Sequence, residues 1–237
     1  MAKRDAHGTS TLCIDIGGTG LKLMVVDGKG DAVTERLRVE TPRPATPGAV
    51  LAALKRLLAD QKEPYDRVSV GFPGVVVDSI TRTAPNLDPA WAGFKLGAAI
   101  QKLSGKPARV INDAGVQGHG VIEGRGTEIC LTLGTGMGFA LYVDGRYVPN
   151  IEMAHHHFAK SKTYEEFIGA RALDRVGKKK WNQRVLKVIE ELEPVFNYRV
   201  LYLGGGNAKK LEVSLPKNVK IVENVAGLLG GVKLWEQ

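Results

Sequence analysis

The sequence carries one short pattern twice. Ile14-Asp15-Ile16-Gly17-Gly18-Thr19-Gly20 runs into an apolar stretch that ends at Val26-Asp27-Gly28. Leu131-Thr132-Leu133-Gly134-Thr135-Gly136 runs into another that ends at Val143-Asp144-Gly145. The two Gly-Thr-Gly turns lie 116 residues apart, about half of the 237-residue chain. Each copy reads as a β-hairpin: an apolar strand, a glycine tip and a second strand stopped by Asp-Gly. Solenoid repeats are far shorter, roughly 20–50 residues, so the echo implies two related halves, each offering a loop to a shared cleft.

The rest of the pattern agrees. Short runs rich in Val, Ile and Leu predict strands over Thr11–Ile16, Leu21–Asp27, Arg67–Phe72, Ala108–Ile111, Glu128–Leu133, Phe139–Val143 and Arg199–Leu203. Thr46-Pro47 opens a helix with a cap and a proline at its first position, and Val50, Leu51, Leu54, Leu57 and Leu58 share one face. Trp181, Val185, Val188, Ile189, Leu192 and Phe196 form a second apolar stripe, with Pro194 as a kink or an end. Strands alternating with helices predict an α/β fold.

Composition narrows the class. With 43% hydrophobic and 24% charged residues the chain is an ordinary globular protein, and disorder is excluded. A formal net charge of +8 favours an anionic partner without choosing among phosphate esters, polyphosphate and nucleic acid. Cys13 and Cys130 sit inside apolar runs and read as buried thiols; two cysteines build neither a disulfide framework nor a Cys-rich zinc motif. Met1–Ser10 is polar, and the apolar runs fall short of a membrane span, so a cytoplasmic protein is expected.

A glycine turn beside Thr exposes backbone N–H groups, which can line a concave anion site. Paired tips facing one another would grip a chain of phosphates. Asp15, ahead of the first tip, is placed to hold a metal ion directly or through water. Lys22 reads equally as a phosphate contact or a solvated strand residue. Gly204-Gly205-Gly206-Asn207 follows a predicted strand and allows close approach of a ligand, with Asn207 as an N-cap; a plain strand-to-helix turn is the alternative.

Taken in order, Asp15-x-Gly17-Gly18-Thr19-x-x-Lys22, Gly71-Phe72-Pro73-Gly74, Asn112-Asp113-Ala114, Leu133-Gly134-Thr135-Gly136-x-Gly138 and Gly204-Gly205-Gly206 resemble the ROK family of sugar kinases, in the actin-like ATPase superfamily. The likeness runs from about residue 11 to the end. It is greatest to the short polyphosphate glucokinases, Val148-Pro149-Asn150-x-Glu152 included. The resemblance implies an α/β protein of two ribonuclease-H-like domains with mixed sheets flanked by helices around a central cleft. Their expected extents are residues 1–111, closed by a C-terminal helix over 223–237, and residues 112–222. It implies a homodimer that binds glucose or a similar hexose, with Mg²⁺ and with ATP or inorganic polyphosphate as phosphoryl donor. Gly17, Gly18, Thr19, Gly20, Gly134, Thr135, Gly136, Gly204, Gly205 and Gly206 would take the donor, with Asp15 and Lys22.

Asp113, directly after a strand, stands where ligands enter α/β sheets. By resemblance it accepts the proton of the sugar 6-hydroxyl while Asn112 holds neighbouring hydroxyls; the plainer reading is that the pair caps a helix. Glu152 and His155 match the family's Glu-x-x-His sugar pair, although Met153-Ala154 replaces the usual Leu-Gly. The cysteine-rich zinc motif common just downstream is missing, so no zinc is expected, and His156 and His157 read as surface or packing residues. Thr163 and Glu166 have the spacing of a capping box, while Glu165 falls where the family has a further sugar-binding glutamate. Asn86 resembles the family's sugar-contacting asparagine, with a turn as its plainer role, and Gly74 would let backbone approach the sugar.

Lys178-Lys179-Lys180, with Arg184, reads either as a solvated helix start or as part of a track for polyphosphate. Two rivals remain: a kinase for mannose, N-acetylglucosamine or fructose, and a non-catalytic sugar sensor. The family's repressors carry a DNA-reading segment of several tens of residues, and about ten residues precede the first strand here. The lysines are not interleaved with aromatics, so nucleic acid is not an expected partner, and the short apolar runs make a membrane an unexpected one too.

Overall fold

The structure, a computed structural model, describes residues 8–159, 161–222 and 226–236. Packing divides the chain into two units. One runs to Gly120 and takes in the chain from Gly227; the other is Val121–Ala226.

In the first unit β1 (Thr11–Ile16), β2 (Gly20–Val26), β3 (Leu37–Glu40), β4 (Arg67–Phe72) and, beyond a small hairpin of β5 (Val76–Val77) and β6 (Ile80–Thr81), β7 (Ala108–Asn112) build the fold. The sheet order is β3-β2-β1-β4-β7. β3, β2 and β1 are antiparallel, and β1, β4 and β7 are parallel. The parallel strands are joined by α1 (Pro47–Asp60) and α2 (Leu96–Ser104), and α3 (Asp113–His119) follows β7. Thr46 caps α1 by accepting the Ala49 amide, and Val50, Ala53, Leu54 and Leu57 are buried beneath it. Alternation along β1 sends Leu12, Ile14 and Ile16 into this main core. Cys13, on the opposite face, packs with Met24, Val26, Leu228 and Val232.

That second face is covered by the returning chain end. Of the expected helix over 223–237, residues 223–225 and 237 lie outside the described residues. The rest is a single α-turn, Ala226–Leu229, passing into a 3₁₀ segment, Gly230–Trp235. Here Gly230 lies hard against α3 and Gly231 hard against the sheet. A Cβ on Gly231 would stand 2.4 Å from Cys13 Sγ, and one on Gly230 2.0 Å from the Val116 carbonyl. Ser69 Oγ donates to Gly231 O (2.6 Å) and accepts from Trp235 Nε1 (2.9 Å).

The second unit repeats the plan. Its sheet contains β8 (Thr127–Leu133), β9 (Met137–Val143) and β10 (Arg146–Val148). A small hairpin of β11 (His157–Ala159) and β12 (Lys162–Thr163) leads to α4 (Tyr164–Ile168), α5 (Ala170–Val176) and α6 (Lys178–Phe196), and β13 (Val200–Gly204) and β14 (Val219–Ile221) complete the sheet. The order is β10-β9-β8-β13-β14, again three antiparallel strands followed by parallel neighbours. Trp181, Val185, Val188, Ile189 and Leu192 of α6 are fully buried against it. Pro194 lies in the last turn of α6, which stops at Asn197 with φ 47°. The echo in the sequence is thus an echo in topology, and both sheets are mixed and flanked by helices, as predicted.

Candidate active site

The tip between β1 and β2 is closed by the Gly17 amide donating to the Gly20 carbonyl (3.0 Å). Its remaining oxygens are tied back into the unit. Gly17 O accepts from Thr41 Oγ1 (2.5 Å), Gly18 O from the Arg43 guanidinium (2.9 Å) and Thr19 O from the Thr41 amide (3.4 Å). The amides of Gly18 and Thr19 have no acceptor among the described residues. Turning the oxygens inward leaves donors alone to meet a ligand, which is what an anion requires. Arg38 adds a cation: a Cβ on Gly20 would lie 2.9 Å from its Nε. Asp15 and Lys22 face each other across the hairpin, and Lys22 Nζ donates to Asp15 Oδ2 at 2.6 Å.

The tip between β8 and β9 follows the same rule with different partners. The Gly134 amide closes on Gly136 O (3.1 Å). Leu133 O accepts from the Asn207 amide (2.9 Å), Gly134 O from Asn207 Nδ2 (2.9 Å) and Thr135 O from the Ala170 amide (3.2 Å). The amides of Thr135 and Gly136 again lack an acceptor among the described residues. Contrary to the expectation that Asn207 caps the turn after β13, its side chain makes no cap hydrogen bond there; the neighbouring tip takes it instead. Gly205, at φ +84°, lies so close that a Cβ there would stand 2.4 Å from Leu133 O. At Gly134 and Gly206 a Cβ would meet nothing within 4 Å.

Asp113 is the first residue of α3, at the carboxyl end of β7, and is half-buried. Its Oδ1 accepts the Ala114 amide at 2.8 Å. Asn112 caps α3, accepting from the Ala114 and Gly115 amides, and its Nδ2 donates to Gly74 O (3.2 Å). The capping role left open by the sequence is therefore real. Gly71 lets α3 approach β4, since a Cβ there would lie 3.3 Å from Asp113 Cα. Gly74 is demanded by the protein itself: a Cβ would fall 2.1 Å from Thr83 O. Asn86 lies against the first tip, its Cβ 3.3 Å from the position a Gly18 Cβ would take.

In the second unit Glu152, His155 and Glu165 come together. His155 Nε2 is 3.8 Å from Glu152 Oε2. Burial raises the Glu152 carboxyl above its ordinary value, the nearby Glu165 charge adds to this, and His155 opposes it. Glu165 also reaches the tip, its Oε2 accepting the Met137 amide at 3.2 Å. Thr163 and Glu166 form the predicted capping box. His156 packs loosely on Tyr164, and His157 is exposed in β11. No group of three or more metal-ligating side chains occurs among the described residues.

Lys178 is paired with Glu212, whereas Lys179 and Lys180 are exposed in the first turn of α6. Cys13 and Cys130 are buried, and burial pushes the Cys13 thiol up to about 12. Sequence reasoning missed Arg38, Thr41 and Arg43; nothing in Glu40-Thr41-Pro42-Arg43 marks residues that tie a turn to a strand some twenty positions earlier.

Residues 11–155 match the model of the ROK family. The chain is 30% identical over 240 residues to a polyphosphate glucokinase of Mycobacterium tuberculosis strain H37Rv, covering 92% of this chain and 88% of that protein. Among solved structures it resembles an inorganic polyphosphate/ATP-glucomannokinase from Arthrobacter sp. strain KM, with a TM-score of 0.87 at 31% identity, over 96% of this chain and 98% of the other. A ROK family glucokinase from Streptomyces griseus, in complex with glucose and AMPPNP, shares the fold, with a TM-score of 0.76 at 21% identity over 95% and 98% of the two chains.

Proposed function

The chain belongs to the ROK family, and from that premise we propose that it is a glucokinase that transfers a phosphoryl group from inorganic polyphosphate or ATP to the 6-hydroxyl of glucose. The observation that carries this reading is the matched pair of tips. In both, every carbonyl of the turn is engaged within its own unit, and the amides of Gly18, Thr19, Thr135 and Gly136 are left for a ligand rich in anionic oxygens. Gly134 and Gly206 support it, because no atom of the described residues requires glycine there. Close passage of phosphates would.

In this reaction Asp113 accepts the proton of the 6-hydroxyl as that oxygen attacks the terminal phosphorus. The new O–P bond forms while the bridging P–O bond breaks. The donor leaves as ADP or as a polyphosphate one unit shorter. The tip amides, fixed beforehand by their carbonyl anchors, meet the charge that develops on the transferred group at little reorganisation cost. Asn112 holds Asp113 in place through its cap and retains a second amide proton for a sugar hydroxyl. Asn86 and the Gly74 backbone serve the sugar in the first unit, and Glu152, His155 and Glu165 serve it in the second.

Asp15 fits a magnesium ion brought in by the donor. Mg²⁺ takes one or two carboxylates and fills its remaining positions with phosphate oxygens and water. Asp15 is a single carboxylate, 24% exposed and already balanced by Lys22, so contact through water suits it. When bound, the ion would neutralise donor phosphate charge.

Mannose is the second acceptor to test, since the glucomannokinase is a relative of full length. No described helix is long and apolar enough to cross a membrane. A cytoplasmic homodimer completes the reading, and light scattering on the purified protein checks the assembly. The deciding experiment measures hexose 6-phosphate formation with ATP and with polyphosphate in parallel, on glucose and on mannose. Turnover of glucose with at least one donor is expected; no turnover with either overturns the proposal.

A further inference from the structure

The second unit holds a cavity of about 460 Å³ between β12, α4 and the first half of α6. Its walls carry Lys162, Lys180, Arg184 and Lys187 around Phe167, and no acidic side chain lines it. Lys180, Arg184 and Lys187 stand at positions i, i+4 and i+7 of α6, so they form one row about 10 Å long. None of these four has a carboxylate within 4.0 Å among the described residues, in contrast to Lys178, which Glu212 neutralises. Arg184 is held over the Phe167 ring (4.7 Å to its centroid) and donates to Phe167 O. The position is electrostatically uncomfortable: burial lowers the Arg184 guanidinium below its ordinary value, and Arg175 adds to the effect.

A row of cations without a carboxylate partner among the described residues, beside an apolar floor, asks for a ligand that brings several negative charges in line. A single phosphate would satisfy one or two of them. Lysine stems can line an apolar wall while their ammonium groups stay hydrated, where an anion can meet them. The short helix α4 connects this cavity to the donor loop, because Phe167 lines the cavity while Glu165 accepts the Met137 amide beside the Gly-Thr-Gly tip. Residues two apart on a helix point to nearly opposite sides, so the two places are separate, and a donor must be long to serve both.

We propose that this cavity binds the distal part of an inorganic polyphosphate chain, the stretch remote from the phosphate being transferred. The inference rests on the polyphosphate-donor reading above and adds a second point of attachment. It also revises the sequence-level expectation for Lys178–Lys180: of the three, Lys180 belongs to the track and Lys178 does not.

The test compares the wild-type protein, Lys180→Gln/Lys187→Gln, and Lys55→Gln/Lys62→Gln, which removes the same charge from the other unit. Steady-state kinetics are run with ATP, tripolyphosphate and long-chain polyphosphate over a range of salt concentrations. In the cavity variant the KM for long-chain polyphosphate should rise at least five-fold. Its dependence on log salt should flatten by about 1.4 units for the two charges removed, by analogy with counterion release from single-stranded nucleic acids. Constants for ATP and tripolyphosphate should stay within two-fold of wild type, as should all constants of the remote variant. An unchanged long-chain KM in the cavity variant, or an equal rise in the remote variant, overturns the inference. If the wild-type protein phosphorylates glucose with ATP and not with polyphosphate, the donor reading itself falls, which is a different result from either.

Discussion

Glu165 Oε2 accepts the Met137 amide at 3.2 Å, so the carboxylate assigned to the sugar also fastens the strand that leaves the second glycine tip. The contact exists because Gly136 has no side chain: a Cβ there would lie 2.0 Å from Oε2 and 2.8 Å from Cδ of Glu165. One carboxylate thereby links the proposed sugar site to the geometry of the proposed donor loop.

Gly136→Ala tests that link. The displaced atoms are the end of a flexible side chain, so the fold can yield, and the melting temperature should stay within about 2 °C of wild type. Catalysis should suffer, because Glu165 must leave Met137; kcat/KM for glucose should drop at least ten-fold. Glu165→Gln keeps an acceptor for the amide and should cost less at the loop than Glu165→Ala. Coupled assays with thermal melts check both, and a fully active Gly136→Ala protein would show that the contact is incidental.

Gly205 and Gly206 separate structure from function within one loop. At Gly205 both φ and space forbid a side chain: φ is +84°, and a Cβ would press on the Leu133 backbone at 2.4–2.7 Å. The left-handed region alone costs about 1–2 kcal/mol for an L-residue, and the backbone contact adds to it. Gly205→Ala should lose about 2 kcal/mol or more, a melting shift of about 4–8 °C. Gly206→Ala meets open space and should melt as wild type does while the donor KM rises. Paired melting curves and donor titrations decide it.

These positions also show how far the sequence was legible. The hairpin echo needed only strand–glycine–strand order, and Thr11–Ile16 and Arg67–Phe72 matched residue for residue because apolar runs and glycine stops are local signals. Thr46 and Thr163 were readable as caps for the same reason. The Asp15–Lys22 pair follows from hairpin register once the tip is set. What stayed hidden is tertiary. Asn207 has the residue type and position of a cap, and only the folded sheet reveals Gly134 O within reach of its amide. Thr41 and Arg43 serve the first tip from a different strand connection, and no spacing encodes that. The Thr83 carbonyl that excludes a side chain at Gly74 was equally hidden, and it acts whether or not a sugar meets the Gly74 backbone.

His119 gives the stability a pH dependence. It lies on α3 under the returning chain end, 5% exposed, and burial pushes its imidazole from 6.5 down to about 4, with Lys233 adding to the shift and Glu236 opposing it. Between these values the unfolded chain binds a proton that the folded protein refuses, so stability falls as pH drops from about 6.5 and levels off below about 4. At about 1.4 kcal/mol per pH unit the ceiling is on the order of 3 kcal/mol. Urea titrations at pH 7 and pH 4.5 should show the loss, and His119→Gln should remove most of the difference between the two.

Asp113 decides whether the site is catalytic. Its Oδ1 accepts the Ala114 amide, and Asn112 caps the same helix, so Asp113→Asn preserves shape, hydrogen bonding at Oδ1 and the α3 terminus. What the substitution removes is the ability to take a proton. General-base catalysis contributes typically about 10²–10⁴ in rate, and kcat should fall within that range for ATP and polyphosphate alike. Glucose affinity, measured by calorimetry, should change less than three-fold, because the substituted group keeps its size and its place. A base acts on the acceptor, so an equal loss with both donors points to Asp113, whereas a loss with one donor alone would indicate a disturbed phosphate tip. Turnover near the wild-type rate would leave the carboxylate as a helix-capping residue and require the proton to leave by another group.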